Sequence, residues 1–136
     1  MRFDTKIAVV VRADLPVWQK LNVTAFTVSG VAATEKDAIG LPYEDGSGNR
    51  YLPMLGQPVL IFAADANEIA GAYERLMSLE LPATIFTEEL FSTGNDADNR
   101  AAVKVNRREE LRLVGFAFRA PRKAADKVLA GLKLHG

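Results

Sequence analysis

Blocks of hydrophobic and polar residues alternate along the chain, and their lengths and spacing predict strands and helices in turn. Residues 7–11 form an unbroken apolar run of mostly β-branched side chains, which is typical of a strand covered on both faces. Short apolar runs at residues 59–62, 83–87 and 111–118 predict three more strands. We therefore expect a small mixed sheet of about four strands.

Helical spacing follows the first apolar run. The predicted helix begins near Asp14 and Pro16 and ends near Gly40, or earlier at Gly30. Apolar residues recur in this segment at intervals of three and four, which is the spacing of one helix face. The predicted apolar face consists of Leu21, Ala25, Val28 and Ala32.

Two further helices are predicted from the same kind of spacing. Asp65 followed by Glu68 resembles a capping box at the start of the second helix, and Pro82 stops that helix. Pro121 suits the first turn of the last helix. The expected apolar faces are Ile69, Tyr73, Leu76 and Met77 in the second helix, and Ala124, Ala125, Val128, Leu129 and Leu132 in the last.

The segments between these elements predict turns. Residues 43–51 indicate a hairpin or an exposed loop, because their Asp-Gly and Ser-Gly pairs supply the positive φ angles that turns require. Residues 93–100 are polar and predict a loop. Since no repeat or linker interrupts this order, we expect one domain over residues 1–136, a three-layer α/β/α arrangement around the sheet.

Length and charge fit this picture and limit the possible partners. A chain of 136 residues suits a single domain. Its 17 basic residues balance 17 acidic residues. Balanced charge argues against a global electrostatic grip on nucleic acid or on an anionic membrane, although a local patch stays open.

The scarcity of certain residues and segments limits the possible chemistry and location of the protein. There is no cysteine, which excludes thiol nucleophiles, iron–sulfur clusters and cysteine zinc sites. The single histidine, His135, stands where chains usually fray, so we do not expect a Ser-His-Asp triad or a histidine zinc site. No signal-peptide stretch and no apolar run of about 20 residues is present. We expect a cytoplasmic protein with no membrane partner, no metal and no cofactor.

Two segments resemble a known family. VVVRADLPVWQK, residues 9–20, is similar to the start of the type II peptidyl-tRNA hydrolases, where an apolar strand runs into Arg-x-Asp-Leu and a Gly-Lys pair opens the first helix. LRLVGFAFRAP, residues 111–121, resembles the last strand and proline turn of that family. The resemblance implies a peptidyl-tRNA hydrolase II-like fold. DGSGNRY and LFSTGN are closer to a relative of these hydrolases with no assigned activity, the family called domain of unknown function two thousand.

The resemblance carries over residue by residue at the first helix. Arg12, Asp14 and Leu15 match the Arg-x-Asp-Leu segment, and Lys20 matches the helix-opening lysine. Gln19 stands where the hydrolase motif has glycine. The resemblance therefore implies Lys20 as a residue of the site.

Other positions depart from the hydrolase pattern. Thr24 and Thr27 stand where the hydrolases typically have a glutamine and a histidine. The later acidic signature of the family is not reproduced, and the nearest acidic residue is Asp98. The resemblance therefore supports the fold more strongly than the reaction.

The charges that follow the first strand form the first candidate cluster. If the sheet is mainly parallel, Arg12, Asp14 and Lys20 collect at its carboxyl edge, where open α/β sheets bind ligands. The alternative is structural: Asp14 caps the first helix, for about 1 kcal/mol, while Arg12 pairs with it.

The second candidate cluster precedes the last helix. Arg119, Arg122 and Lys123 surround Pro121, and cations there oppose the helix dipole. Free backbone N–H groups beside these cations would form an anion site at the same edge of the sheet. The alternative is an ion pair between Arg122 and Asp126, one turn apart.

Together the two clusters predict a binding module for a small anionic ligand that carries phosphate or carboxylate. The ligand-binding set is Arg12, Lys20, Arg119, Arg122 and Lys123. The first alternative is a hydrolase of peptidyl-tRNA or a nucleotide-like ester, in which tRNA is a partner and Lys20, Asp14 and Asp98 are catalytic. The second alternative is an interaction protein without a small-molecule site, and a homodimer is expected in any case.

A few other residues permit weaker hypotheses. The loop at Asp45 has oxygen ligands at alternate positions, as calcium loops do, but it lacks the later glutamate. Glu88 or Glu89 would serve as a general base if buried. Trp18 and Phe26 offer a stacking surface for a base, or pack in the core.

Overall fold

The computed structural model describes residues 2–136, which form four helices around a mixed five-stranded sheet. The strands of the sheet are β1 (Thr5–Arg12), β4 (Val59–Ala64), β5 (Thr84–Thr87), β6 (Leu113–Pro121) and β7 (Lys133–Leu134). A separate hairpin consists of β2 (Tyr43–Glu44) and β3 (Arg50–Tyr51). The helices are α1 (Val17–Thr34), α2 (Ala66–Ser78), α3 (Asp96–Lys104) and α4 (Arg122–Val128).

β1 lies at the centre of the sheet because it has no polar side chain to keep in water between residues 7 and 11. The strand order is β5-β6-β1-β4-β7. β1 pairs in parallel with β4 and antiparallel with β6. Its side chains alternate between two separate cores and are fully buried in both, which confirms the predicted strand covered on both faces.

α1 covers one face of the sheet with a different stripe of residues from the predicted one. The side chains that it buries are Val23, Thr27 and Val31, whereas Leu21 is 66% exposed. Thr27 can be buried because its hydroxyl donates to the carbonyl oxygen of Val23, one turn earlier. The predicted face is therefore wrong at Leu21 and Ala25, which are exposed, whereas Val28 packs at the edge of the core and Ala32 is half-buried.

A glycine of β6 lets α1 approach the sheet closely. A Cβ atom on Gly115 would collide with the side chain of Val23 and would lie 3.1 Å from the carbonyl oxygen of Val10. Gly30 of α1 is equally tight against the side chain of Thr84 in β5. These two contacts hold α1 over β6 and β5.

α2 and α4 cover the opposite face. The capping box predicted at the start of α2 is confirmed, because Asp65 and Glu68 each accept a hydrogen bond from the backbone N–H of the other. Arg75 of α2 donates to the carbonyl oxygens of Val128 and Ala130 at the end of α4. This guanidinium satisfies carbonyl groups that a helix C-terminus leaves free, and so it joins the two helices.

The strand count and two local predictions need correction. The sheet has five strands rather than four, because β7 pairs antiparallel with β4. The last helix was expected to include Leu132, which directly precedes β7. α4 ends at Val128, and Gly131, with φ of +81°, turns the chain back toward the sheet. Residues 96–104 form α3 rather than a loop, because the side chain of Asn95 caps that helix.

The hairpin predicted at residues 43–51 is confirmed as β2 and β3. Within residues 2–136, no helix is long and apolar enough to cross a membrane.

The tight contact between β6 and α1 yields a stability prediction. Gly115→Ala should lower the free energy of unfolding by about 1–3 kcal/mol, because the added methyl group pushes Val23 and its helix away from the sheet. Gly46→Ala is the matched control, since a Cβ on Gly46 meets no atom within 4 Å. Urea denaturation of both variants measures the difference. Equal stability of the two variants would contradict the packing argument.

Candidate functional site

The two predicted cationic clusters lie at opposite ends of β1. Because β6 runs antiparallel to β1, Pro121 at its end is paired with Thr5, the first residue of β1. Arg12 is the last residue of β1, and seven steps of about 3.3 Å place it roughly 23 Å away. The expectation that Lys20 and Arg122 surround one cavity is therefore wrong, since it assumed a parallel strand.

Carboxylates neutralise Arg12. Its guanidinium donates to both carboxylate oxygens of Asp14, at 3.0 and 2.8 Å, and to Glu88 at 2.7 Å. The bond to Arg12 lowers the pKa of the Asp14 carboxyl below its ordinary value. The predicted pairing of these two residues is confirmed, but Asp14 does not cap α1, whose N-cap is Pro16 without a side-chain bond. Arg12 therefore has little positive charge left for a ligand.

The second cluster is engaged in a similar way. Arg119 donates to both oxygens of Asp37 at 3.0 Å, and its side chain is only 14% exposed. Arg122 donates to the carbonyl oxygen of Phe3 at 3.0 Å. The expected pair of Arg122 with Asp126 is wrong, because Asp126 forms its ion pair with Lys6. Lys123 is exposed on the surface of α4.

Lys20 lies beside His135, which we did not expect in a site. β7 runs back along β4, and the backbone N–H of His135 donates to the carbonyl oxygen of Ile61 at 2.9 Å. This bond holds the imidazole on the α1 side of the sheet, where its Nε2 atom lies 3.2 Å from Nζ of Lys20. The alternation of apolar and polar side chains at residues 132–135 was the signal for a strand that would have found His135.

The donor roles in this pair follow from its chemistry. A lysine ammonium group can only donate hydrogen bonds, so Nε2 of His135 accepts. Nδ1 then carries the ring proton and donates to the carbonyl oxygen of Gly136 at 2.8 Å. The Lys20 ammonium keeps two further N–H groups, which can be directed at a ligand.

Lys20 and His135 stand at one side of a cavity of about 320 Å³. None of the seven residues that line it is acidic, and four of them are aliphatic. The lining consists of Val11, Val17, Lys20, Leu21, Thr24, Ile61 and His135. A positive group beside an aliphatic wall suits a ligand with an anionic end and an apolar body.

The cavity exists because α1 does not extend over β4. The helix packs mainly on β6, β5 and β1. The side chains of β4 on this face, including Ile61, stay half-buried, and the nearby helix residues Val17 and Leu21 are 71% and 66% exposed. We call the surface formed by Val17, Leu21 and Ile61 the open flank.

The remaining predicted site residues lie elsewhere. Thr24 is in the cavity and its hydroxyl donates to the carbonyl oxygen of Lys20, but Thr27 is buried on another side of α1. Asp98 is exposed in the first turn of α3, where it accepts a bond from Asn95, and it does not line the cavity. Trp18 and Phe26 are 60% and 53% exposed and line a groove between α1 and the segment that contains α3.

Two of the weaker candidates are occupied by neighbours. The hydrogen bonds from Arg112 lower the pKa of Glu89 below its ordinary value, which makes that carboxylate a weaker base. Asp45 accepts hydrogen bonds from Tyr51, Asn49 and the backbone N–H of Ser47. Its oxygens therefore hold the hairpin together. In the described part of the chain, no group of three or more acidic or histidine residues converges as metal ligands would.

Comparison with known proteins places this chain in a family without an assigned activity. Residues 5–136 match the model of the family described as "Protein of unknown function (DUF2000)". The structure is similar to that of a protein of unknown function, Atu0240, from Agrobacterium tumefaciens strain C58, with a TM-score of 0.96 and 44% sequence identity. That similarity covers 99% of this chain and 100% of the other. None of the curated proteins matches the sequence.

The hairpin yields a pH prediction. The hydrogen bond from the Tyr51 hydroxyl, together with those from Asn49 and Ser47, lowers the pKa of Asp45 to about 2. Its contribution to the hairpin is complete above the ordinary value of 3.8 and is lost as the pH falls toward 2. Tyr51→Phe should move the NMR titration midpoint of Asp45 up toward 3.8. Tyr43→Phe is the control, and a midpoint that stays near 2 in Tyr51→Phe would contradict this account.

Proposed function

Because the chain belongs to the DUF2000 family, which carries no assigned activity, we propose a function from the site itself: binding of a small amphipathic anion. Lys20 and His135 hold its carboxylate or phosphate group, and its apolar part lies along Val11, Leu21 and Ile61. The observation that carries the proposal is the Lys20–His135 pair, 3.2 Å apart, in a cavity without an acidic lining residue.

Electrostatics favours this cavity over the predicted arginine sites. Arg12 and Arg119 each bind carboxylates within 3.0 Å, so an incoming anion would have to displace a charge already in place. Lys20 instead donates to Nε2 of His135, which carries no negative charge. An anion there gains charge-assisted hydrogen bonds without breaking an ion pair.

The aliphatic wall determines the kind of ligand. An inorganic ion would leave the surfaces of Val17, Leu21 and Ile61 in water, whereas a ligand with an apolar body covers them. Each methylene group that is buried contributes about 0.8 kcal/mol, which is about a fourfold gain in affinity. A cavity of about 320 Å³ is at the small end of the range for ligand sites, so the ligand is a small molecule.

The likeness to type II peptidyl-tRNA hydrolases is part of the same proposal. Arg12, Asp14 and Lys20 match the motif of those enzymes, and a mixed sheet with helices on both faces agrees with such a fold. The proposed binding site then contains Lys20, the residue that matches the helix-opening lysine of the motif.

Calorimetric titration with a series of straight-chain carboxylates and alkyl phosphates tests the binding proposal. Affinity should rise about fourfold per added methylene group until the cavity is full. Lys20→Ala should weaken binding at least tenfold, since hydrogen bonds to charged groups contribute about 1.5–3 kcal/mol.

Lys123→Ala is the matched control, because it removes an exposed lysine at the far end of the sheet. Binding that is independent of chain length, or a loss as large in Lys123→Ala as in Lys20→Ala, would overturn the assignment of the cavity. So would the absence of binding throughout the series.

A second function is favoured by one specific observation. We expected Asp14 or Asp98 as the base of a hydrolase because His135 stands near the end of the chain, yet the imidazole of His135 lies beside Lys20. In an ester hydrolase, the Lys20 ammonium would turn from Nε2 of His135 to the ester carbonyl oxygen, and the freed Nε2 would take a proton from water. The resulting hydroxide would attack the ester carbonyl, and Nε2 would return its proton to the departing alkoxide. Lys20 would stabilise the oxyanion, and the ester C–O bond would break to release an alcohol such as a tRNA 3′-hydroxyl.

Deacylation of a peptidyl-tRNA separates this second function from simple binding. If the chain is such a hydrolase, turnover falls at least a hundredfold in Lys20→Ala and His135→Ala and persists in Asp98→Asn. Turnover that is lost in Asp14→Asn but kept in His135→Ala would assign the base to the carboxylate instead. Binding of amphipathic anions without any turnover would rule out the hydrolase and support anion binding.

A further inference from the structure

The hairpin projects from the body of the protein with its apolar side chains in water. All fourteen residues from 41 to 54, which we call the arm, are exposed. Its large apolar side chains are exposed by half or more of their surface: Leu41, Tyr43, Tyr51, Leu52 and Met54. Exposed apolar patches of this kind mark interaction surfaces.

The arm has a defined shape but few stabilising contacts of its own. Its ladder consists of two residue pairs, Tyr43 with Tyr51 and Glu44 with Arg50. At its base, Ile39 forms a bridge with Leu55, and Gly40 donates to the carbonyl oxygen of Met54 at 2.8 Å. A two-stranded hairpin is marginally stable alone in water, so this arm needs a surface to pack on.

We propose that the chain forms a two-fold homodimer in which the arm of each copy packs on the open flank of the other. The open flank combines the exposed side chains of Val17 and Leu21 with the half-buried Ile61, on the side of the sheet that α1 covers. The base of the arm belongs to that side as well, because Ala38 and Leu55 pack in the same core as Ile61. The arm leaves the body near the start of β1, where Gln57 donates to the carbonyl oxygen of Thr5, whereas Val17 and Leu21 follow the end of β1. A two-fold axis between these two places lets each arm reach the flank of the other copy.

Size and charge favour a second copy as the occupant. A standard interface takes about 20–30 residues from each partner, and the arm alone supplies fourteen of them. The arm carries Glu44, Asp45 and Arg50, whereas the rim of the flank carries Lys20, Lys133 and His135. These charges are complementary, and a chain with no net charge does not repel its own copy at long range.

The proposal also changes the ligand site. Leu21 belongs both to the open flank and to the wall of the cavity. The partner's arm would therefore close the side of the cavity that faces solvent. This second effect rests on the proposed binding function, whereas assembly itself does not and is measured without any ligand.

Sedimentation velocity and light scattering between about 1 and 100 µM test the assembly. We expect the natural chain to be a dimer in this range, and Leu52→Glu and Leu21→Glu to be monomers. Both leucines are largely exposed, at 85% and 66%, so neither change disturbs the core, and circular dichroism confirms that the variants fold.

Val105→Glu is the matched control, because Val105 is 80% exposed at the end of α3, away from both surfaces. It should remain dimeric. A natural chain that is monomeric at about 100 µM would overturn the proposal and would assign the arm to a different protein. A dimer that survives Leu52→Glu would overturn it as well.

Mixing the two variants tests the pairing of arm with flank. Leu21→Glu keeps an intact arm and Leu52→Glu keeps an intact flank, so an equimolar mixture can form a heterodimer with one sound contact out of two. We expect the mixture to associate where each variant alone does not. Association of arm with arm would leave Leu21→Glu dimeric on its own, and association of flank with flank would leave Leu52→Glu dimeric on its own; either result, or a mixture that stays monomeric, would overturn the arrangement. Lys20→Ala should stay dimeric even where it loses the ligand, which separates the two proposals.

Discussion

β6 runs antiparallel to β1 across seven paired residues, from Thr5 opposite Pro121 to Val11 opposite Gly115, and this ladder separates the two clusters of cationic side chains. The ladder directs the end of β6 toward the start of β1. It thereby sends one set of arginines to each end of the sheet. Carboxylates neutralise Arg12 and Arg119, and Arg122 donates to a backbone carbonyl oxygen, so the arginines serve the fold more than a ligand.

The position of α1 creates the remaining chemistry. Gly115 and Gly30 allow this helix to lie tightly against β6 and β5, because neither glycine has a Cβ atom to hold the surfaces apart. A helix drawn to that side of the sheet leaves the other side uncovered. The same displacement therefore produces both the cavity beside Lys20 and the open flank that would receive an arm. The position of α1 on the sheet thus determines both the cavity and the open flank.

Lys20 differs from the other cations named in the predicted site by its surroundings. The cavity around it is lined by aliphatic side chains, a threonine and an imidazole, and within the described residues no carboxylate forms an ion pair with it. The imidazole of His135 lies beside Lys20 because β7 adds a fifth strand to the sheet. A two-residue strand at the end of the chain thus decides whether the cavity contains one polar group or a pair.

The sequence alone determined the elements whose signals are local: the fully buried strand at residues 7–11, the capping box of Asp65 and Glu68, and the hairpin. Its motifs also identified the family correctly. Only the tertiary structure decided the direction of β6, the buried stripe of α1 and the partner of Lys20. The physical reason is that periodicity and capping depend on residues a few positions apart. Strand direction, helix placement and the meeting of Lys20 with His135 depend on packing between segments as much as 115 residues apart in the chain.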